Sequence, residues 1–85
     1  MTPLQATLVE IALGVNGRAV LKEDADLHRK FSDVGIDSLE VMSLMLAVME
    51  RYKIDIPDAE VDTLTNLHQL SEFVERELGK RGRNP

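Results

Sequence analysis

Asp37-Ser38-Leu39-Glu40-Val41-Met42-Ser43-Leu44-Met45-Leu46-Ala47-Val48-Met49-Glu50-Arg51-Tyr52 decides the fold, because its apolar residues follow a helical period and not a strand alternation. Asp37 is a good N-cap, and Glu40 three residues later completes the acidic form of a capping box. A helix is therefore predicted from Ser38 to about Tyr52. At 100° per residue, Val41, Leu44, Met45, Val48 and Tyr52 share one stripe, while Leu39, Met42, Leu46 and Met49 form a second about 120° away. A single core buries one stripe. The first holds the β-branched residues and the aromatic and is assigned to the interior. The second is assigned to solvent or a partner, and its two flexible thioethers suit a surface that meets differently shaped molecules. The competing arrangement sets the helix centrally and buries both stripes.

Upstream, Thr2, Pro3 and Gln5 supply an N-cap, a proline at the first helical position and a capping box, after which Leu4, Leu8, Ile11, Ala12 and Val15 recur at helical spacing. Asn16-Gly17 reads as a left-handed stop. Residues 17–36 have no sustained period but carry Val20, Leu21, Leu27, Phe31, Val34 and Ile36, which predicts a long loop pinned to the core. Twenty residues without an element is unusual in a small domain and points to a short helical turn or a functional loop. Gly35 relieves the backbone where this loop enters the next helix. Downstream, Ile54-Asp55-Ile56-Pro57 is extended, a short helix covers Ala59 to Asp62, and Thr65 caps a last helix with Leu67, Leu70, Phe73, Val74 and Leu78 on one face. Gly79 closes it. The fold class is all-α: a small antiparallel four-helix bundle, three main helices and one short one, with a long loop after the first. One domain is expected over 1–79, with 80–85 a flexible basic tail.

Eighty-five residues suit one domain with an economical core and no deep active site. The absence of cysteine removes disulfides and thiolate metal sites and fits a reducing compartment. No apolar run reaches the ~20 residues that span a bilayer, so a soluble cytoplasmic monomer without membrane insertion is expected. A net charge of −5 argues against nucleic acid, which demands a basic footprint. A hydrolase lacks its parts: His28 and His68 are the only candidate bases for Ser38, and no Gly-x-Ser-x-Gly elbow is present. Asp55, Asp58, Glu60 and Asp62 do not follow the order of a calcium loop, so no metal site is expected. A hydroxyl at the mouth of a helix without activating machinery reads as something to be modified.

From Phe31 to Leu39 the chain reads Phe31-Ser32-Asp33-Val34-Gly35-Ile36-Asp37-Ser38-Leu39, which resembles the Asp-Ser-Leu signature of acyl carrier proteins. The resemblance extends from about Leu4 to Leu78 and is weakest between Gly17 and Lys30. It implies that Ser38 bears a 4'-phosphopantetheine arm through a phosphodiester, an anion that a helix N-terminus favours. It also implies that Asp37 assists the phosphopantetheinyl transferase, that the arm's thiol holds an acyl group as a thioester, and that the body catalyses nothing. An acyl- or aminoacyl-loading ligase and a downstream transferase or synthase are the further partners it implies, with Leu39 in contact with them; with the second stripe of the helix, the expected partner surface is Leu39, Glu40, Met42, Leu46 and Met49. Such proteins also shelter acyl chains between the second and third helices; Leu44, Met45, Val48, Ile56, Ala59, Val61 and Leu64 are candidate lining residues and equally candidate core.

The carriers of fatty-acid synthesis crowd the second helix with carboxylates, whereas this helix has Glu40 and Glu50 alone, with Ser43, Met49, Arg51 and Lys53 where acids are common. Apolar contact is expected to carry more of the partner specificity, in a dedicated pathway handling a polyketide, a modified lipid or an aminoacyl group. His28-Arg29-Lys30 is either a partner-specific loop or solvated charge. The alternative function is an unmodified helical adaptor acting through its surface only.

Overall fold

The computed structural model describes residues 1–82, and among them the regular structure is entirely helical. The four α-helices are α1 (Pro3–Val15), α2 (Ser38–Tyr52), α3 (Asp58–Val61) and α4 (Leu67–Gly82). Helix α1 begins as its sequence requires: Thr2 Oγ1 accepts from the Gln5 amide at 3.1 Å while the Gln5 side chain accepts from the Thr2 amide at 2.9 Å. It ends differently. Asn16 is extended (φ −143°), and among the described residues Gly35 is the one glycine with positive φ, so the Asn16-Gly17 pair makes no left-handed stop. The Asn16 side chain is instead committed to tertiary bonds that a helical continuation would displace.

The long loop contains two 3-10 turns, Asp24–His28 and Phe31–Val34. Leu21, Leu27, Phe31, Val34 and Ile36 hold it, buried in the common core, whereas Val20, expected among them, is exposed. Main-chain bonds add register: the Val20 amide donates to Val34 O at 2.9 Å and the Phe31 amide to Thr65 O at 2.9 Å. Asp26 organises the first turn. Amides of Glu23 and Lys22 donate to its carboxylate, and with the Arg29 guanidinium nearby they hold that carboxyl below the usual carboxylate range. A depressed folded-state value means that this contribution to stability is present above the ordinary range and is lost as pH falls through the lowered value.

Between these segments lies one core, built from Leu8 and Ala12 of α1, Leu44, Met45 and Val48 of α2, and Leu70 and Val74 of α4. The first stripe of α2 is thus interior, with Val41 and Tyr52 half-buried at its ends. Of the second stripe, Leu39 is 79% exposed, Leu46 60% and Met42 44%. Met49 departs from the expectation. It is half-buried against the core, and its sulfur accepts from the Ile56 amide at 3.2 Å, so a residue assigned to the docking face closes the 54–57 segment onto α2.

Three boundaries also move. Helix α3 starts at Asp58, one residue before the expected Ala59. Helix α4 is capped by Asn66, whose Oδ1 accepts from the Gln69 amide at 2.8 Å, and not by Thr65, whose amide and hydroxyl both donate to Gln69 Oε1. Gly79 does not end α4. The helix continues to Gly82, where Lys80 pairs with Glu77 at 2.8 Å and the Arg81 guanidinium donates to the Tyr52 carbonyl at the end of α2. A helical glycine costs roughly 1 kcal/mol, and the chain nevertheless continues helically through Gly79 to these contacts. The remainder of the expected basic tail, 83–85, lies outside the described residues. Among those described, no helix is long and apolar enough to cross a membrane.

The opposite fates of neighbouring leucines give a direct check. Leu44→Ala should cost about 2–5 kcal/mol in chemical denaturation, as core truncations do, whereas Leu46→Ala should stay within about 0.5 kcal/mol of the parent. Equal losses would mean that both stripes are buried.

Candidate functional site

Ser38 stands exposed as the first residue of α2, and the chain reaches it through a sharp change of direction. Gly35 makes that change possible. Its φ of 97° lies in the left-handed region, and its amide closes the second 3-10 turn by donating to Ser32 O. A Cβ there would meet nothing nearer than the Ala19 Cα at 3.9 Å, so what glycine supplies is backbone freedom and not space. Ile36 then plugs the core, and Asp37 turns extended (φ −81°, ψ 176°) to cap the helix.

The cap is reciprocal. Asp37 Oδ1 accepts from the Glu40 amide at 2.8 Å and Glu40 Oε1 accepts from the Asp37 amide at 3.0 Å. Both carboxylates are turned onto the backbone, leaving the amides of Ser38 and Leu39 among the first-turn donors that a helix itself cannot satisfy. Glu40 is half-buried and also accepts from Asn16 Nδ2 at 3.2 Å, so the structure places this expected partner contact in an internal bond. In the sequence Asn16 signals only a stop. Its carboxamide reaches Gly35 O as well, at 2.8 Å and nineteen residues away, a bond that no local sequence signal announces.

Beside Ser38 opens a cleft of about 440 Å³. Buried Phe31, Ile36 and Leu64 form its floor, half-buried Val41 and Val61 its walls, and Lys30, Ser32, Asp62 and Thr65 supply its polar groups. Of the residues considered as an acyl-chain lining, Val61 and Leu64 belong to this cleft. Leu44, Met45, Val48 and Ile56 are packed core, and Ala59 is exposed. The core alternative thus holds for most of these residues, and the opening lies at the N-terminal end of α2 against the second 3-10 turn and the segment following α3.

The residues brought together at this end are Asp37, Ser38 and Leu39, with Met42 on the adjoining turn and Leu46 one turn further along the exposed stripe. The histidines are engaged elsewhere. His28 and His68 stack on each other with centroids 4.2 Å apart, where the first 3-10 turn meets α4, and His68 Nε2 lies 3.5 Å from Glu72. A nucleophilic Ser requires a base within about 2.6–3.2 Å, and these rings serve as a structural joint. What the arrangement does offer is an accessible hydroxyl, a helix terminus suited to an anion, and an apolar recess next to both.

These features fit the group that the family comparison indicates. Residues 6–74 match the family model described as "Phosphopantetheine attachment site". An acyl carrier protein of Guillardia theta is 33% identical over 72 residues, covering 85% of this chain and 84% of that protein. Acyl carrier proteins of Campylobacter concisus and Campylobacter curvus are each 34% identical over 68 residues, covering 80% of this chain and 82% of theirs.

Two substitutions separate the supports of the turn. Gly35→Ala should destabilise by roughly 1–2 kcal/mol through its left-handed backbone, and Asp37→Ala by about 1 kcal/mol through the lost cap. Denaturant midpoints at neutral pH measure both, and a silent Gly35→Ala would show that the turn relaxes to another conformation.

Proposed function

The chain belongs to the acyl carrier protein family, whose cofactor is 4'-phosphopantetheine, and from that premise we propose that Ser38 is its attachment residue and that the protein presents an acyl-type group to separate enzymes in a dedicated pathway. The observation that carries this reading is the exposed Ser38 hydroxyl at the head of a doubly capped helix, beside an open cleft. When bound, the arm supplies a terminal thiol on which an acyl group is held as a thioester. Everything else falls to the chain. Asp37 fixes the helix start and presents a carboxylate edge to the transferase, Ser38 offers its oxygen to phosphorus, and the helix terminus favours the resulting phosphodiester charge. The chain catalyses no step and acts as a substrate of its partners.

The dedicated role rests on the exposed face of α2. Leu39, Met42 and Leu46 give it an apolar character, and Glu50 is the carboxylate left on it once Glu40 is tied inward. Docking through such a face relies on shape and dehydration, with less long-range attraction than a row of carboxylates would exert. Polyketide, modified-lipid and aminoacyl cargoes all fit this reading, loaded by a ligase and passed to a transferase or synthase. Cytoplasmic residence accompanies it.

Co-expression with a phosphopantetheinyl transferase should add the arm's mass to the parent protein and not to Ser38→Ala, as read by intact mass. No gain with several transferases of different specificity would favour the unmodified adaptor. Met42→Glu and Leu46→Glu should reduce transfer to the cognate partner at least about tenfold, as lost contacts worth about 1.4 kcal/mol do, while the circular dichroism stays that of the parent. Loading should persist at moderate salt; a steep salt-dependent loss would show that charge dominates docking.

A further inference from the structure

Asn16 has the connectivity of a clamp. Its backbone amide closes α1 by donating to Ala12 O at 2.9 Å, and its carbonyl accepts from the Ala19 amide at 3.2 Å. Its side chain uses both ends: Oδ1 accepts from the Arg18 amide at 2.9 Å, and Nδ2 donates to Gly35 O at 2.8 Å and Glu40 Oε1 at 3.2 Å. One carboxamide therefore joins the end of α1 to both sides of the turn bearing Ser38, gripping the left-handed Gly35 before it and the capping Glu40 after it. The geometry is specific to an amide. The Oδ1 atom must accept while Nδ2 donates twice, which neither a carboxylate nor a hydroxyl of that reach supplies.

We propose that Asn16 is a positioning residue for modification of Ser38, holding the Gly35–Glu40 turn in the orientation that aims the hydroxyl at the incoming phosphorus. The proposal rests on the reading of Ser38 as the attachment residue. In that step a bond forms from Ser38 Oγ to phosphorus of a pantetheine pyrophosphate donor and the bond from that phosphorus to the leaving phosphate breaks. The hydroxyl proton passes to a base on the transferase. Asn16 touches none of these atoms. Its effect is orientational, and displacement of a reacting group by about 1 Å is worth up to roughly 100-fold in rate. Docking through Leu39, Met42 and Leu46 does not involve Asn16, so its loss falls on kcat and leaves KM for the carrier.

Asn16→Asp is the sharpest variant because it keeps shape and the acceptor to Arg18 while turning both donor contacts into repulsion against Gly35 O and the Glu40 carboxylate. The measurement is a time course of arm transfer by intact mass, at several carrier concentrations. Asn16→Asp should lower kcat roughly 10- to 100-fold with KM within about twofold, and Asn16→Ala should fall between it and the parent. Val74→Ala, which loosens the core on α4 and removes no bond to the turn, should keep the parent kcat at a temperature where it remains folded. If Asn16→Asp fails to fold, Asn16→Ser, which retains a short acceptor and no donor of that reach, replaces it with the intermediate loss of kcat expected for Asn16→Ala. An Asn16 variant that is folded and modified at the parent rate would overturn the proposal, as would a loss confined to KM or one matched by Val74→Ala. Absence of modification in the parent protein with every transferase would instead overturn the reading of Ser38.

Discussion

The reciprocal bond between Asp37 and Glu40 is the constraint from which the rest of the molecule is arranged. A helix cannot satisfy its own first amides, and here two carboxylates satisfy the cap and third-position amides. Because each carboxylate is held by the other's backbone, the start of α2 is fixed at Ser38. The phase of the helix is set by packing: Leu44, Met45 and Val48 lie on one face by helical geometry, and their burial turns that face inward.

That phase is also what separates the two apolar stripes. Leu44, Met45 and Val48 bury against α1 and α4, so Leu39, Met42 and Leu46 are left outside by geometry. The long loop reinforces this. Its two 3-10 turns bury Leu27, Phe31 and Val34 in the core, and the second turn lines the cleft beside Ser38. The loop, expected to be pinned to the core and to hold a short helical turn or serve a function, holds two such turns and lines the cleft together with α2.

Much of this was legible because it depends on local chemistry. Thr2 with Gln5, and Asp37 with Glu40, are capping boxes whose partners lie three residues apart, and the helical period of α2 follows from side-chain direction alone. The motif at Ser38 and the family match over 6–74 agree in placing the chain among the carriers. What escaped depends on contacts between distant segments. Asn16 ended α1 as expected, but by reaching across to Gly35 and Glu40 and not by turning left-handed. Met49 left the exposed stripe because the returning 54–57 segment brought the Ile56 amide to its sulfur. Gly79 stayed helical, and Arg81 beyond it reaches the end of α2. In each case a propensity was overruled by a partner that sequence distance conceals.

The exposed leucines have a consequence for life in a crowded solution. Leu39 at 79% and Leu46 at 60% exposure would make a neutral domain of this size adhesive toward its own copies. A net charge of −5 on 85 residues opposes that, because like-charged molecules repel before their apolar surfaces touch. The two forces differ in reach: repulsion acts over the Debye length of about 8 Å at physiological ionic strength, whereas dehydration of leucine acts at contact. A net acidic body and apolar side chains concentrated on α2 therefore form a colloidal filter, keeping copies apart while admitting a surface that is uncharged or basic.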